Sequence, residues 1–453
     1  MVVIMELKKY KNNSKRKIYI MFIICIFILL ISGYFFYQSY ALYEDTKDFD
    51  VINGSVEDPG DIYFAYYIDG EISREMPSQN TGYTLDETKS NCTNGVVPTW
   101  DNAEWKFIGD YHNYNATTNT RTKCTLYFNK TLKTVSTVLG NIEVNSYTPD
   151  FTKSACDDET CESHEKGIYE TTDYDGNPTY YYRGSVENNY VKFAEYYWRI
   201  IRINSNGSIR MIYDGTSTHY NGEVSIDRQY MTTTFNVSSN DTMYLGYMYT
   251  EKEQLGLKKS SNAKISMDKF YVDKLLNYTA KMDINTGYCG DRSTLNLHAN
   301  VGIGTMTTYN KGYLRVLENT PTLLCENTND YYTISTSSVG NKALTYPVGL
   351  ISIDEVLLAG YAGSVFNGAY NHLNSCKNGF LTIGNHISTM TPAGYYYPFS
   401  AGDVVARMLI IDQNGGIDDV WSNYEFGLKP VINIRSDVTI TGSGTMTDPY
   451  VVN

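Results

Sequence analysis

Hydrophobic and polar positions follow three rhythms along this chain. The first is unbroken: Ile18 to Tyr37 runs without a single charge, long enough to cross a bilayer core as a helix of ~20 residues. The second alternates. Asp61 to Ile68, Lys123 to Phe128, Tyr190 to Phe193, Tyr196 to Asn204 and Ser208 to Tyr213 are rich in aromatic and β-branched residues and are predicted as strands. Trp100 and Trp105 bracket a short turn, and Asn206-Gly207 predicts a hairpin. The third rhythm is helical. Met267, Phe270, Tyr271, Leu275 and Tyr278 recur at helical spacing, with Ser266 as the expected N-cap and Asp268 complementing the dipole. A second short helix opens with the capping box Ser352-x-x-Glu355 and stops at Gly360. Strands return at Val404 to Ile411, Ile417 to Trp421 and Pro430 to Ile434, with a turn at Asn414-Gly415-Gly416 between the first two. Strands at both ends with helices between them predict an α+β domain.

These rhythms divide the chain into a basic tail (1–17), a transmembrane helix (18–37), a small β module (44–130), a linker (131–165) and an α+β domain (166–453). Lys8, Lys9, Lys11, Lys15, Arg16 and Lys17 precede the apolar run and hold its N-terminal side in the cytoplasm. The bulk of the chain is then expected outside a single-pass cell membrane anchor. A cleavable signal peptide is the competing reading, because Ser39-Tyr40-Ala41 supplies a small-x-small site. Cys25, followed by Ile26, has no lipoprotein setting.

Charge narrows the partners. The chain holds 37 Lys and Arg against 50 Asp and Glu, and the first 37 residues take six basic and one acidic, which leaves 31 against 49 and a net charge of −18 outside. An acidic exterior offers no footprint for nucleic acid or anionic lipid. Tyrosine is the outlying residue type at 43, as expected from either an AT-rich genome or ligand faces with one wet edge. Seven cysteines follow the apolar run, and an oxidising compartment lets disulfides persist. Neighbourhood suggests Cys92 with Cys124, Cys156 with Cys161 and Cys289 with Cys325, leaving Cys376 over; connectivity is not fixed by sequence.

Catalytic signatures are sparse. G-x-S-x-G, H-E-x-x-H and the P-loop pattern do not occur. The S-x-x-K matches Ser261/Lys264 and Ser266/Lys269 lack the further motifs of penicillin-recognising enzymes. His372 and His386 flank Cys376, a couple that would activate a thiolate. No metal cofactor is called for, although the acid cluster Asp157 to Glu165, and Asp412 and Asn414 with Asp418 and Asp419, hold the oxygen ligands that calcium prefers. A solvated linker and a plain turn explain the same residues.

The stretches YYYRGSVENNYVKFAEYYWRIIRIN (Tyr180 to Asn204), GYCGDR (Gly287 to Arg292), LTYPVGLISIDEVLLAG (Leu344 to Gly360) and GLKPVINIRSDVTITGSGTMTDPYVV (Gly427 to Val452) occur together with GSIRMIYDGT and PTLLCEN. As a set they resemble a family of uncharacterised, membrane-anchored surface proteins of low-GC Gram-positive bacteria, over roughly residues 165–453. The resemblance also implies the Cys289–Cys325 pair. The Trp-Arg-Ile start and the Pro-Val-Ile end are similar to the sulfatase-modifying-factor and C-type-lectin-like fold, an analogy of fold that does not transfer activity. This chain has Lys429-Pro430 where that pattern has Arg-Pro, and Ser388-Thr389-Met390-Thr391-Pro392 where relatives carry a Trp-initiated run. No cysteine pair maps onto the oxidase branch of the fold. The first module, with Trp100-Asp101-Asn102 and the KCTLYF end, looks like a spacer or adhesive domain of such proteins.

The expected function is therefore a surface-anchored binding protein, more binding module than enzyme. A C-type-lectin-like domain would recognise a glycan, cell-wall polymer or protein ligand through loops near its C-terminal strands. Tyr395, Tyr396, Tyr397 and Trp421 are the candidate stacking residues, and Asp418, Asp419 and Asn423 the candidate polar or calcium ligands. The alternatives are an extracytoplasmic enzyme centred on Cys376 or an acidic pair, and a purely structural envelope protein.

Overall fold

The computed structural model describes residues 63–77, 83–93, 95, 99–101, 105–108, 123–130, 133–140, 142–155, 165–173, 175–295, 307–362, 376–396 and 405–453. The expected membrane span lies outside these residues; among them no helix is long and apolar enough to cross a membrane. The chain separates into two units, residues 1–77 with 84–129, and residues 78–83 with 130–453.

The first unit is built on strand Lys123–Lys130, paired in parallel with Tyr63–Ile68 and antiparallel with Asn91–Cys92. The register sets Cys92 opposite Cys124, and the two form a disulfide. Trp100 and Trp105 flank a hairpin of Thr99–Asp101 with Lys106–Ile108, and their rings pack edge to face. Phe128 closes the cluster 5.5 Å from Trp100, so the two tryptophans serve as a small core.

The second unit is α+β, dominated by two large sheets. A nine-stranded sheet runs Val431–Ile434, Ile209–Gly215, Tyr196–Ile203, Tyr190–Phe193, Tyr450–Val452, Thr439–Thr441 and Lys133–Thr134, with Pro178–Arg183 also paired to Tyr196–Ile203 and Gly167–Thr172 paired to Pro178–Arg183. The Asn206-Gly207 hairpin forms as expected, with Gly207 at φ 78°, where a side chain would be strained. A six-stranded sheet runs Met231–Thr234, Glu425–Leu428, Ile387–Tyr396, Val405–Ile411 and Ile417–Trp421, with Thr308–Tyr309 also on Ile387–Tyr396. Part of the stretch expected as linker joins this unit: Lys133–Thr134 pairs with Thr439–Thr441, and the helix Val135–Leu139 buries Val135 and Leu139.

Two helices show how local sequence sets boundaries. The capping box at Ser352 forms in both directions, and Ile353–Leu358 ends before Gly360 at φ 104°. The helix Asn262–Phe270 begins one turn earlier than its apolar spacing predicts. Ser261 is its N-cap, accepting the Lys264 N–H at 3.1 Å, while Ser266 lies inside and is buried. Met267, Phe270, Tyr271 and Leu275 face the core as expected, beside a fully buried Trp198.

The strand Ile387–Tyr396 is the main feature that sequence reading does not find. It is buried along nearly its whole length, so apolar and polar positions do not alternate. Pro392 disguises it further, and sits where the pairing with Val405–Ile411 shifts register. The loops expected to carry Tyr395 and Tyr396 are therefore the end of a central strand.

Candidate functional site

One row of residues crosses four neighbouring strands of the six-stranded sheet. Register places Tyr309 opposite Gly394, Gly394 opposite Arg407, and Arg407 opposite Trp421. Residues opposite one another share a face, as do residues two apart on a strand. Tyr309, Tyr396, Arg407, Asp419 and Trp421 therefore lie on one side. Gly394 leaves a gap in the middle of the row. A Cβ there would meet the Thr308 carbonyl oxygen at 2.4 Å, so the close strand approach requires glycine.

The shelf is half aromatic and half charged. Tyr309 stacks on Tyr313 at 5.1 Å and meets Tyr396 edge-on at 5.4 Å. The Arg407 guanidinium lies 5.1 Å from the Tyr396 ring centre and donates to Asp419 at 2.8 Å. Trp421 and Tyr424 pack edge to face at 5.5 Å. Tyr309 and Trp421 are each 36 % exposed and Tyr424 is 56 % exposed, while Asp419 is buried. Burial pushes the Tyr313 hydroxyl up to about 12, and burial with the Asp419 carboxylate pushes Tyr396 higher still. Both phenols stay protonated at neutral pH and keep a hydrogen to donate.

Tyr396, Asp419 and Trp421, predicted from sequence, meet on this shelf, and Asn423 is exposed in the turn just after Trp421. Tyr395 does not belong to it: it faces the other way, is 3 % exposed, and donates to the Asn240 carbonyl. Asp418 also falls on the opposite face, where its carboxylate accepts the Asp419 N–H at 2.7 Å. Tyr397 lies outside the described residues. Tyr309, Tyr313, Arg407 and Tyr424 were not anticipated. The only available signal was Arg407 as a lone charge in the apolar strand Val405–Ile411.

The turn carboxylates are occupied otherwise. Asp412 Oδ1 accepts the N–H groups of Asn414 and Gly416 at 2.7 and 2.9 Å, which folds the hairpin tip. Among the described residues, no group of three or more His, Cys, Asp or Glu side chains is arranged to hold a metal ion. The acid cluster lies outside the described residues apart from Glu165, which pairs with buried Arg183 at 3.1 Å.

The thiol reading is corrected. Cys376 is fully buried and disulfide-bonded, so it is neither the leftover cysteine nor a nucleophile. The Cys92–Cys124 and Cys289–Cys325 pairs are present as expected; Cys156, Cys161 and His372 lie outside the described residues. Iodoacetamide on the unreduced native protein is expected to leave Cys376 unlabelled in peptide mass spectra. A carbamidomethylated Cys376 under those conditions would contradict the bond. The S-x-x-K residues are structural too: Ser261 caps its helix, and Lys264 pairs with Asp268 at 2.6 Å.

Compared with known proteins, the chain matches no family model, no curated protein and no solved structure.

Proposed function

We propose that this chain is a surface-displayed binding protein whose second unit takes a glycan on the Tyr309–Arg407–Trp421 shelf. The observation that carries the reading is the register row itself: exposed aromatic rings at both ends and an Arg–Asp pair between them, on one side of a rigid sheet. Aromatic rings offer flat faces to the C–H faces of a sugar ring, while Arg407 and Asp419 offer a donor and an acceptor to its hydroxyls. Sites held on strands keep their geometry better than sites on loops.

The remaining expectations fit this picture as proposals. Two disulfides suit an oxidising compartment, and the apolar run Ile18 to Tyr37 after six basic residues suits a membrane anchor with the bulk of the chain outside. A C-type-lectin-like assignment and membership of the Gram-positive surface family are proposals that rest on the sequence motifs alone. The unit's last strand, Tyr450–Val452, lies parallel to Tyr190–Phe193 near its start, so the two ends meet in one sheet.

A glycan and wall-fragment array, probed with and without calcium, tests the binding. Trp421→Ala and Tyr309→Ala are each expected to weaken a positive signal about tenfold, the equivalent of ~1.4 kcal/mol, with the melting temperature nearly unchanged. Loss of binding with calcium removal would place the ion in the site. No retained glycan under either condition would sink the proposal and leave a scaffold role.

A further inference from the structure

Antiparallel pairing of Tyr196–Ile203 with Ile209–Gly215 sets Arg202 directly opposite Arg210. Like charges in that position repel, and one carboxylate answers both. Glu355 Oε1 lies 3.0 Å from Arg202 Nε and 2.5 Å from Arg210 Nε, and Oε2 accepts the Ser352 N–H at 3.0 Å. Burial by itself would raise the Glu355 pKa; the Arg210 and Arg202 charges outweigh it and hold the carboxyl below its usual range. Within this trio two cations face one anion, while Asp173, Asp175 and Asp354 line a cavity beside it.

The two arginines differ in what their outer edges do. Arg210 donates Nη1 to the Gly287 carbonyl at 3.1 Å and lies over the Tyr288 ring. Arg202 is 8 % exposed, yet among the described residues only its Nε finds an acceptor. Its Nη1 and Nη2 are not among the fully buried atoms without a partner, so this edge of the guanidinium stays open to solvent and to a ligand. Arg202 lines that cavity, of about 210 Å³ inside the second unit, together with Glu355, Tyr331, Asp173 and the exposed Asp175.

We propose that this cavity binds the carboxylate of an amino acid, free or at the C-terminal end of a peptide, through a two-pronged bond to Nη1 and Nη2 of Arg202. The planar fork of a guanidinium matches a carboxylate. Asp173 and Asp175 disfavour a doubly charged anion such as phosphate. The volume admits one residue-sized group and falls short of the ~300–1,000 Å³ of pockets for larger ligands. This site is separate from the aromatic shelf and stands whether or not the shelf binds glycan.

Calorimetric titration of the full chain with tri-alanine, tri-alanine amide, alanine and inorganic phosphate tests it. Tri-alanine is expected to bind about tenfold or more tighter than its amide, and phosphate not to bind. Alanine equal to tri-alanine supports the free amino acid as occupant; tri-alanine alone supports a peptide end. Arg202→Lys keeps a charge beside Glu355 and removes the fork, so it is expected to weaken binding about tenfold with the melting temperature retained. Equal binding of acid and amide, tighter binding of phosphate, no heat with any probe, or wild-type affinity in Arg202→Lys would each overturn the proposal. The acid–amide comparison in the unmutated chain decides the matter even where the variant fails to fold.

Discussion

Asp214→Ala is expected to destabilise the second unit by about 3–5 kcal/mol, the cost of leaving buried charge without its partner. Asp214 is 1 % exposed and serves three cations. Its carboxylate lies 2.8 Å from Arg228 Nη2, 3.2 Å from Lys429 Nζ and 3.9 Å from Arg199 Nη1. Arg228 also donates to the carbonyls of Phe380 and Thr382, and so ties the nine-stranded sheet to the segment around Cys376. Lys429 already sits at a disadvantage. Burial pushes its pKa down to about 8, against the pull of Asp214 and with the push of Arg228. Losing Asp214 would leave two guanidinium groups that cannot shed their charge and an amine driven further toward neutrality. Hydrogen exchange of the Tyr196–Gly215 amides measures the effect. Protection equal to the unmutated chain would show that Asp214 is not the counter-charge of this core. Domains are stable by only ~5–15 kcal/mol, so the expected loss is a large share of the total.

The second large effect concerns the disulfide Cys289–Cys325, which closes a stretch of 36 residues. Replacing both cysteines with serine is expected to cost about 4 kcal/mol by the chain-entropy relation. The bond sits beside the small pairing of Tyr288–Cys289 with Tyr331–Tyr332, two residues on each side, which is too short to hold the segment alone. Denaturant midpoints of the double variant and of the reduced native chain provide the check. Superimposable transitions with and without the bond would refute the estimate and show that neighbouring contacts fix the segment.

Much of the architecture was legible because its signals are local. The Asn206-Gly207 hairpin, the Ser352–Glu355 capping box and the strands near Val405–Ile411 and Ile417–Trp421 all announce themselves within a few residues. The miss at Ser266 is also local: Ser261 offered an equally good cap one turn earlier, and it is Ser261 that accepts the Lys264 N–H. Ile387–Tyr396 was illegible because a strand buried on both faces loses its alternation. The candidate shelf was half legible. Tyr396, Asp419 and Trp421 could be named as aromatic and polar candidates, but Tyr309 joins them only through the pairing of Thr308–Tyr309 with Ile387–Tyr396.

By itself the sequence determined the α+β class, the β character of the first unit and several element boundaries, because each depends on residues near one another in the chain. Tertiary structure decided which charges live inside. Arg199, Arg202 and Arg210 lie in strands that read from sequence as half-exposed, yet all three are buried. Their carboxylates are Asp214 and Glu355, the second 145 residues beyond Arg210. Burying a charge is tolerable only when an opposite charge reaches it, and in this chain it is the fold that brings the two together.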